Sequence, residues 1–212
     1  MPEGNGGGTV GVRPVGPPDI DALYDICIRT AAAGADARGQ YRSDTLVGDL
    51  FAAPYAEREP GHCFVLDDGT GTAAGYIVGT ADTAGFVRWY RQEWIPRTAQ
   101  RRPVPPDPPV TPDDVMLALH HHPERMLVPE LSGYPAHLHF DLLPDWQGKG
   151  WGRELMHRFL DSLREAGVSS VHLGMIKSNT NARRFYDRLG FTEIAVLGAD
   201  PLVYLGRTTS VE

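Results

Sequence analysis

Gln147-Gly148-Lys149-Gly150-Trp151-Gly152 sets three glycines in five positions ahead of an amphipathic stretch. Glycine lets a backbone approach a ligand closely, and the first amides of a helix have no intrahelical partner. Such a turn is suited to an anion, and a pyrophosphate is the expected occupant. The spacing departs from the dinucleotide fingerprint, because the third glycine comes one residue early and no acidic residue ends a second strand some way on. The phosphate-loop pattern fails as well, for want of a Gly-Lys-Ser/Thr ending. The remaining Q-x-x-G-x-G is by itself equally compatible with plain chain reversal.

The second group of interest lies just before this turn. His137, His139 and Asp141 alternate with Leu138, Phe140 and Leu142, so a strand would put the three polar residues on one face. Asp141 can orient an incoming nucleophile or relay its proton, and His139 and His137 are rivals with a better intrinsic pKa. The same face is also compatible with solvation or with structural hydrogen bonds. Lys149 and Arg153 flank the glycine turn, and Arg183 and Arg184 open a later helical stretch. These can make a local positive field in a chain of net charge −7, whose sign argues against a nucleic-acid footprint. His120-His121-His122 has the composition of a metal tract. Neighbours on a helix point about 100° apart, however, so no metal is assigned.

The surrounding periodicities supply the elements that must hold these groups. Residues 137–143 read as a strand, 151–166 as a helix ended by Gly167, 168–175 as a strand, 179–189 as a helix ended by Gly190, and 191–197 as a strand. Upstream, residues 9–14 read as a strand and Pro17-Pro18-Asp19 as the start of a helix. A further helical stretch lies near 46–51, and strands at 62–66 and 72–81 form a hairpin across residues 67–71. The order implies an α/β fold with a sheet of mixed strand directions.

Residues 82–135 are an insertion before the site-bearing strand. It has a helical aromatic stripe of Phe86, Trp89, Tyr90 and Trp94, an extended proline-rich linker over 101–109, and a second short helix over 113–122. Covering the acceptor side of a cleft and serving as a packing or dimerisation element are equal expectations for it. A flexible tail over residues 1–8 and a single domain over 9–212 are expected. The chain has no long apolar run, and Cys27 and Cys63 sit in apolar surroundings. A cytoplasmic protein with two buried thiols, without membrane or nucleic-acid partners, is the expectation.

Taken in order, the strand, Q-x-x-G-x-G, helix, strand and Asn179-x-x-Ala182-x-x-x-Tyr186-x-x-x-Gly190-Phe191, with Pro144 before Gln147, resemble the GCN5-related N-acetyltransferase (GNAT) superfamily. Within it, Tyr134-Pro135-x-His137-Leu138-x-Phe140-Asp141-Leu142 and residues 185–190 look closest to the acetyltransferase-like C-terminal domain of O-GlcNAcases and its free-standing bacterial relatives. The resemblance covers residues 136–197. It implies a GNAT-like mixed, mostly antiparallel sheet flanked by helices, with acetyl-CoA as cofactor and an unidentified amine as acceptor.

Acetyl transfer from a thioester to an amine needs a held donor, a deprotonated nucleophile and a proton for the departing thiolate. The resemblance implies that Gln147, Gly148, Lys149, Gly150, Trp151, Gly152 and Arg153 hold the pyrophosphate, and that Leu142 and Leu143 pair their main chain with the pantetheine arm. Asn179 and Arg184 are further cofactor contacts on this view, although spacing alone makes Asn179 a helix cap. Tyr186 matches the superfamily's catalytic tyrosine, and a phenol of pKa ~10 remains protonated at neutral pH. Asp141, with His139 as rival, faces the acceptor. The glutamate that some members carry earlier on this strand is missing near Ala136. A catalytically silent acyl-CoA-binding or protein-interaction module is the alternative, and oligomeric state is open.

Overall fold

The apolar run at 73–80, too continuous for a strand with one wet face, forms an interior strand of the sheet, and every residue of it is buried. In the computed structural model, which describes residues 8–210, the strands are β1 (Gly11–Pro14), β2 (Phe64–Asp67), β3 (Ala73–Thr80), β4 (Ala136–Leu142), β5 (Ser170–Ile176), β6 (Thr192–Ile194) and β7 (Leu202–Thr208). They form one seven-stranded sheet in the order β1-β2-β3-β4-β5-β7-β6. All neighbours are antiparallel except β4 and β5, which run parallel. The expected tail at 1–8 lies outside the described residues apart from Gly8.

Eight α-helical segments flank the sheet: α1 (Ile20–Thr30), α2 (Gly48–Phe51), α3 (Ala53–Arg58), α4 (Thr83–Trp89), α5 (Ile95–Thr98), α6 (Pro112–His121), α7 (Trp151–Glu165) and α8 (Thr180–Arg188). The stripe Leu155, Met156, Phe159, Leu160 and Leu163 lays α7 on one sheet face, against Leu138 and Leu142 of β4. The opposite face carries a second core, in which Leu23, Ile26 and Cys27 of α1 and Tyr55 of α3 meet Val65, Tyr76 and Val78. The alternation of β4 therefore divides its side chains between two layers.

The insertion belongs to this second core. Phe86, Tyr90 and Trp94 are buried in it. Arg101 and Arg102, expected to begin a linker, both bind Asp49, which is fully buried: Arg101 Nε reaches Oδ2 at 2.9 Å and Arg102 Nε reaches the same oxygen at 2.7 Å. The Asp49 carbonyl also accepts from Trp94 Nε1 at 2.9 Å and from the Tyr90 hydroxyl at 3.1 Å. A buried carboxylate needs charged donors to remain ionised, and the two arginines supply them to the side chain. His120 is a core residue too, between the Tyr90 hydroxyl at 2.7 Å and Thr98 Oγ1 at 3.0 Å. Cys27 and Cys63 are buried free thiols, as their apolar surroundings suggested.

The helical stretch near 46–51 is present as α2, and Ala52, whose φ of −134° and ψ of −67° are not helical, separates it from α3. One strand was missed by the periodicity reading: β7 pairs with β5 along seven residues and with β6 along three. Among the described residues no helix is long and apolar enough to cross a membrane.

Candidate active site

β4 and β5 pair only at Ala136 with Val171 and at His137 with His172. Beyond that they splay, and a cavity of about 1390 Å³ opens between 138–142 of β4 and 173–176 of β5. The α7 N-terminus closes one side of it, α8 another, and insertion residues Met116, Leu119, Arg125 and Met126 a third. Antiparallel pairing with β3 alternates which main-chain groups point inward. The Leu143 amide donates to the Ala74 carbonyl at 3.1 Å, so Leu142, Phe140 and Leu138 turn their amides and carbonyls toward the gap.

The glycine turn lines one end of the cleft. Gly148 and Gly150 have φ of 72° and 91°, in the left-handed region that glycine tolerates without strain. A Cβ at either would meet nothing within 4 Å, so the space beside them is open. Helix α7 begins with Arg153 and Glu154 both donating to the Gly150 carbonyl, at 3.0 and 3.2 Å. Among the described residues none accepts from the amides of Gly148, Lys149, Gly150, Trp151 or Gly152. Free donors at a helix N-terminus suit an anion in charge. Arg153 and Arg184 line the same cleft.

Several predicted contacts differ in kind. Leu143 lies outside the cleft, with its amide engaged by β3 and its side chain on the second core. Phe140 and Leu142 are the positions whose main chain faces the gap. The Gln147 side chain donates to the Leu142 carbonyl at 2.8 Å and so ties the turn to the strand end. Gly152 is a packing glycine, since a Cβ there would stand 3.0 Å from Phe185 and 3.2 Å from Phe140, whose rings stack at 5.2 Å. The side chains of Lys149 and Trp151 are not part of the wall: Lys149 Nζ lies 5.5 Å from the centre of the Trp146 ring and Trp151 packs on the first core. Asn179 caps α8, accepting from Ala182 N at 3.0 Å, and donates to the Ala33 carbonyl at 3.2 Å.

At the other end Asp141, His139 and Tyr186 meet in the same cavity. The Tyr76 hydroxyl donates to Asp141 Oδ2 at 2.5 Å. Burial outweighs that bond and raises the Asp141 pKa to about 6. His139 moves the opposite way, down to about 3, through burial, the nearby Arg125 charge and His172. Its intrinsic advantage as a base is thus reversed, since Asp141 is the stronger base by about three pKa units. Tyr186 is 7% exposed, and burial together with the Asp141 charge raises its pKa, so the phenol stays protonated. No described residue hydrogen-bonds its hydroxyl. Because no buried side-chain nitrogen or oxygen among the described residues lacks a partner, that hydroxyl opens on the cleft.

Sequence reasoning missed Tyr55, Tyr76, Thr83 and Arg125. Tyr55 and Tyr76 lie in apolar stretches whose composition reads as core, and only the fold brings them under β4.

The model of the acetyltransferase (GNAT) family matches residues 115–191. The solved structure SsHAT is 57% identical, covers 96% of this chain and all of its own, and superposes with a TM-score of 0.93. The O-GlcNAcase of Rattus norvegicus is 27% identical over 201 residues, 93% of this chain, and the chain spans only 22% of that relative's length. The yncA acetyltransferase of Salmonella typhimurium, solved with its cofactor acetyl-CoA, is 17% identical with a TM-score of 0.54 over 96% of this chain and 95% of its own. A mixed, mostly antiparallel sheet that splays between β4 and β5 above a glycine turn, together with these matches, leads to one conclusion: the chain belongs to the GNAT acetyltransferase family, whose cofactor is acetyl-CoA.

Proposed function

We propose that this protein transfers acetyl from acetyl-CoA to an amine, with Asp141 receiving or orienting the acceptor and Tyr186 supplying a proton. The observation that carries the reading is that one cleft is lined at one end by Gly148, Gly150 and Gly152 of a turn with free amides, and at the other by a basic Asp141 and an unpartnered, protonated Tyr186 hydroxyl. Acetyl-CoA would supply an acyl group already activated as a thioester. The amides of residues 148–152 would hold the pyrophosphate, with Arg153 and Arg184 adding positive charge. The inward-facing main chain of Phe140 and Leu142 suits an amide-rich arm lying along β4 as an added strand.

With its pKa raised to about 6, Asp141 is mostly ionised at neutral pH, yet is a stronger base than an exposed aspartate. It can accept a hydrogen bond from the amine and take up its proton, directly or through water. The Tyr186 Oη holds its proton throughout the physiological range and can release it toward a departing sulfur. A dry cleft raises the pKa of thiol and phenol alike, so burial does not by itself oppose that transfer.

Titration of the protein with acetyl-CoA by calorimetry tests the donor side, and binding in the micromolar range is expected. Release of free thiol with a panel of amines tests transfer. Acetyl-CoA binding without thiol release for any amine would replace this reading by that of a silent acyl-CoA-binding module.

A further inference from the structure

The chemistry above leaves unused a chain of buried polar groups behind β4. Thr83 Oγ1 donates its one proton to the Pro135 carbonyl at 2.8 Å. Its 2.8 Å contact with His137 Nδ1 must therefore take the proton from the imidazole. A neutral His137 then has a bare Nε2, which accepts from the Tyr55 hydroxyl at 2.8 Å. With its proton so directed, Tyr55 Oη is an acceptor toward His139 Nε2, 3.2 Å away. The proton of His139 consequently sits on Nε2, and its lone pair on Nδ1.

No described residue partners that Nδ1. Since no buried side-chain nitrogen or oxygen among the described residues is without a partner, Nδ1 opens on the cleft that the ring lines. Both imidazoles are held neutral, His137 far below its usual range and His139 at about 3. Burial is the main cause, and the positive Arg125 and neighbouring His172 act in the same direction on both rings. Packing fixes the orientation: Tyr55 stacks on Phe86 at 4.3 Å and meets the His137 ring edge-on at 5.3 Å.

We propose that Tyr55, His137 and Thr83 are positioning residues that select the Nε2–H tautomer of His139, so that Nδ1 serves beside Asp141 as a second acceptor for the incoming amine. The proposal rests on reading the cleft as an acetyl-transfer site. A neutral primary amine has two N–H groups and one lone pair. Two acceptors, Asp141 and Nδ1, engage the N–H groups and leave the lone pair for the thioester. The other tautomer would aim an N–H at the amine and occupy the lone pair that must attack. Tautomer choice is thus a chemical requirement, and it is set by a threonine hydroxyl two side chains away.

The test is nitrogen-15 NMR of the imidazoles in the full-length protein, with the His139 signals assigned by their loss in His139→Gln. The expected spectrum has His139 protonated at Nε2 and neutral down to about pH 4. Tyr55→Phe should give mixed tautomers and raise the acceptor KM about tenfold, the effect of one lost hydrogen bond, with a smaller change in kcat. Thr83→Val should shift both readouts the same way, and Thr83→Ser should restore them. An Nδ1–H or evenly mixed His139 in the unmodified protein would overturn the proposal, a result that needs no variant beyond the His139→Gln used for assignment. So would an unchanged acceptor KM in folded Tyr55→Phe and Thr83→Val. Failure of acetyl-CoA to bind would overturn the transfer reading and the amine's role with it, while the unmodified spectrum still judges the relay.

Discussion

The two ends of the cleft are built on opposite plans. The glycine-turn end is backbone: five amides left without partners by a turn of six consecutive residues. The acceptor end is side chain, and every buried polar atom there is partnered, through Tyr55, Tyr76, Thr83, His137 and His139. Donor recognition needs a shape that glycines alone can provide. Acceptor recognition needs titratable groups held at chosen protonation states, which takes burial and partners from distant segments.

The sharpest way to break this contrast is at Tyr186, to which the proposed reading gives the proton for the donor's sulfur. Tyr186→Phe should lower kcat by about 10²–10⁴-fold while acetyl-CoA affinity by calorimetry stays close to that of the unmodified protein. A large loss of affinity would instead make Tyr186 part of the binding wall.

Asp141→Asn should cost about 10–100-fold in kcat/KM and abolish a rising limb centred near pH 6. Its effect on stability has the opposite sign. The folded-state pKa is raised above the unfolded one, so the fold favours protonated Asp141, and stability is lost as pH rises from about 4 to about 6. The amide should therefore stabilise the protein by about 1–3 kcal/mol above pH 6 and have little effect below pH 4, as denaturant titrations at the two pH values would reveal.

The histidines give the converse dependence. His120 is lowered to about 4, His139 to about 3, and His137 and His172 below the usual range, chiefly by burial. The unfolded chain binds their protons first as pH falls below about 6.5, so stability should decline on acidification by up to about 1.4 kcal/mol per pH unit for each. Urea midpoints that stay flat between pH 6.5 and 4.5 would contradict the burial described for these rings.

Smaller effects separate the glycines and the arginines. Gly152→Ala should destabilise by about 1–3 kcal/mol, because its methyl meets Phe185 and Phe140. Gly150→Ala meets open space and only a strained φ, so a cost of about 1 kcal/mol is expected, with acetyl-CoA affinity reduced more than stability. Arg184→Gln and Arg153→Gln should each weaken acetyl-CoA binding a few-fold, less at high salt.

What could be read from sequence follows the same division. The turn, α7, β4 and α8 stand in one stretch, and periodicity with glycine spacing placed them. Asp141, His139 and Tyr186 were found there as residue types, but their order of basicity was not, because it depends on burial. Tyr55 and Tyr76 stand 82 and 65 positions from the partners they serve, with nothing in their neighbourhood to distinguish them from core tyrosines. Residues 101–109 looked like a linker because prolines dominate them, yet Arg101 and Arg102 bind a buried carboxylate 52 and 53 positions earlier. β7, over Leu202–Thr208, lies beyond Gly190-Phe191, the last residues of the recognisable motif, so nothing in the motif pointed to it.

The divergence of β4 from β5 after two paired residues has a further consequence for the molecule among other molecules. An open strand edge on a surface is a template on which any passing extended chain can add itself. Here the open edges lie at the waist of the sheet, bounded by α7 on one side and the insertion on the other. They are out of reach of a neighbouring sheet, which needs a broad flank to dock. A slender chain of alternating amide groups can still slide between them. The protein thus keeps the adhesive property of an unpaired strand and restricts it by thickness, so that on the proposed reading a feature that would otherwise promote aggregation selects a thin ligand.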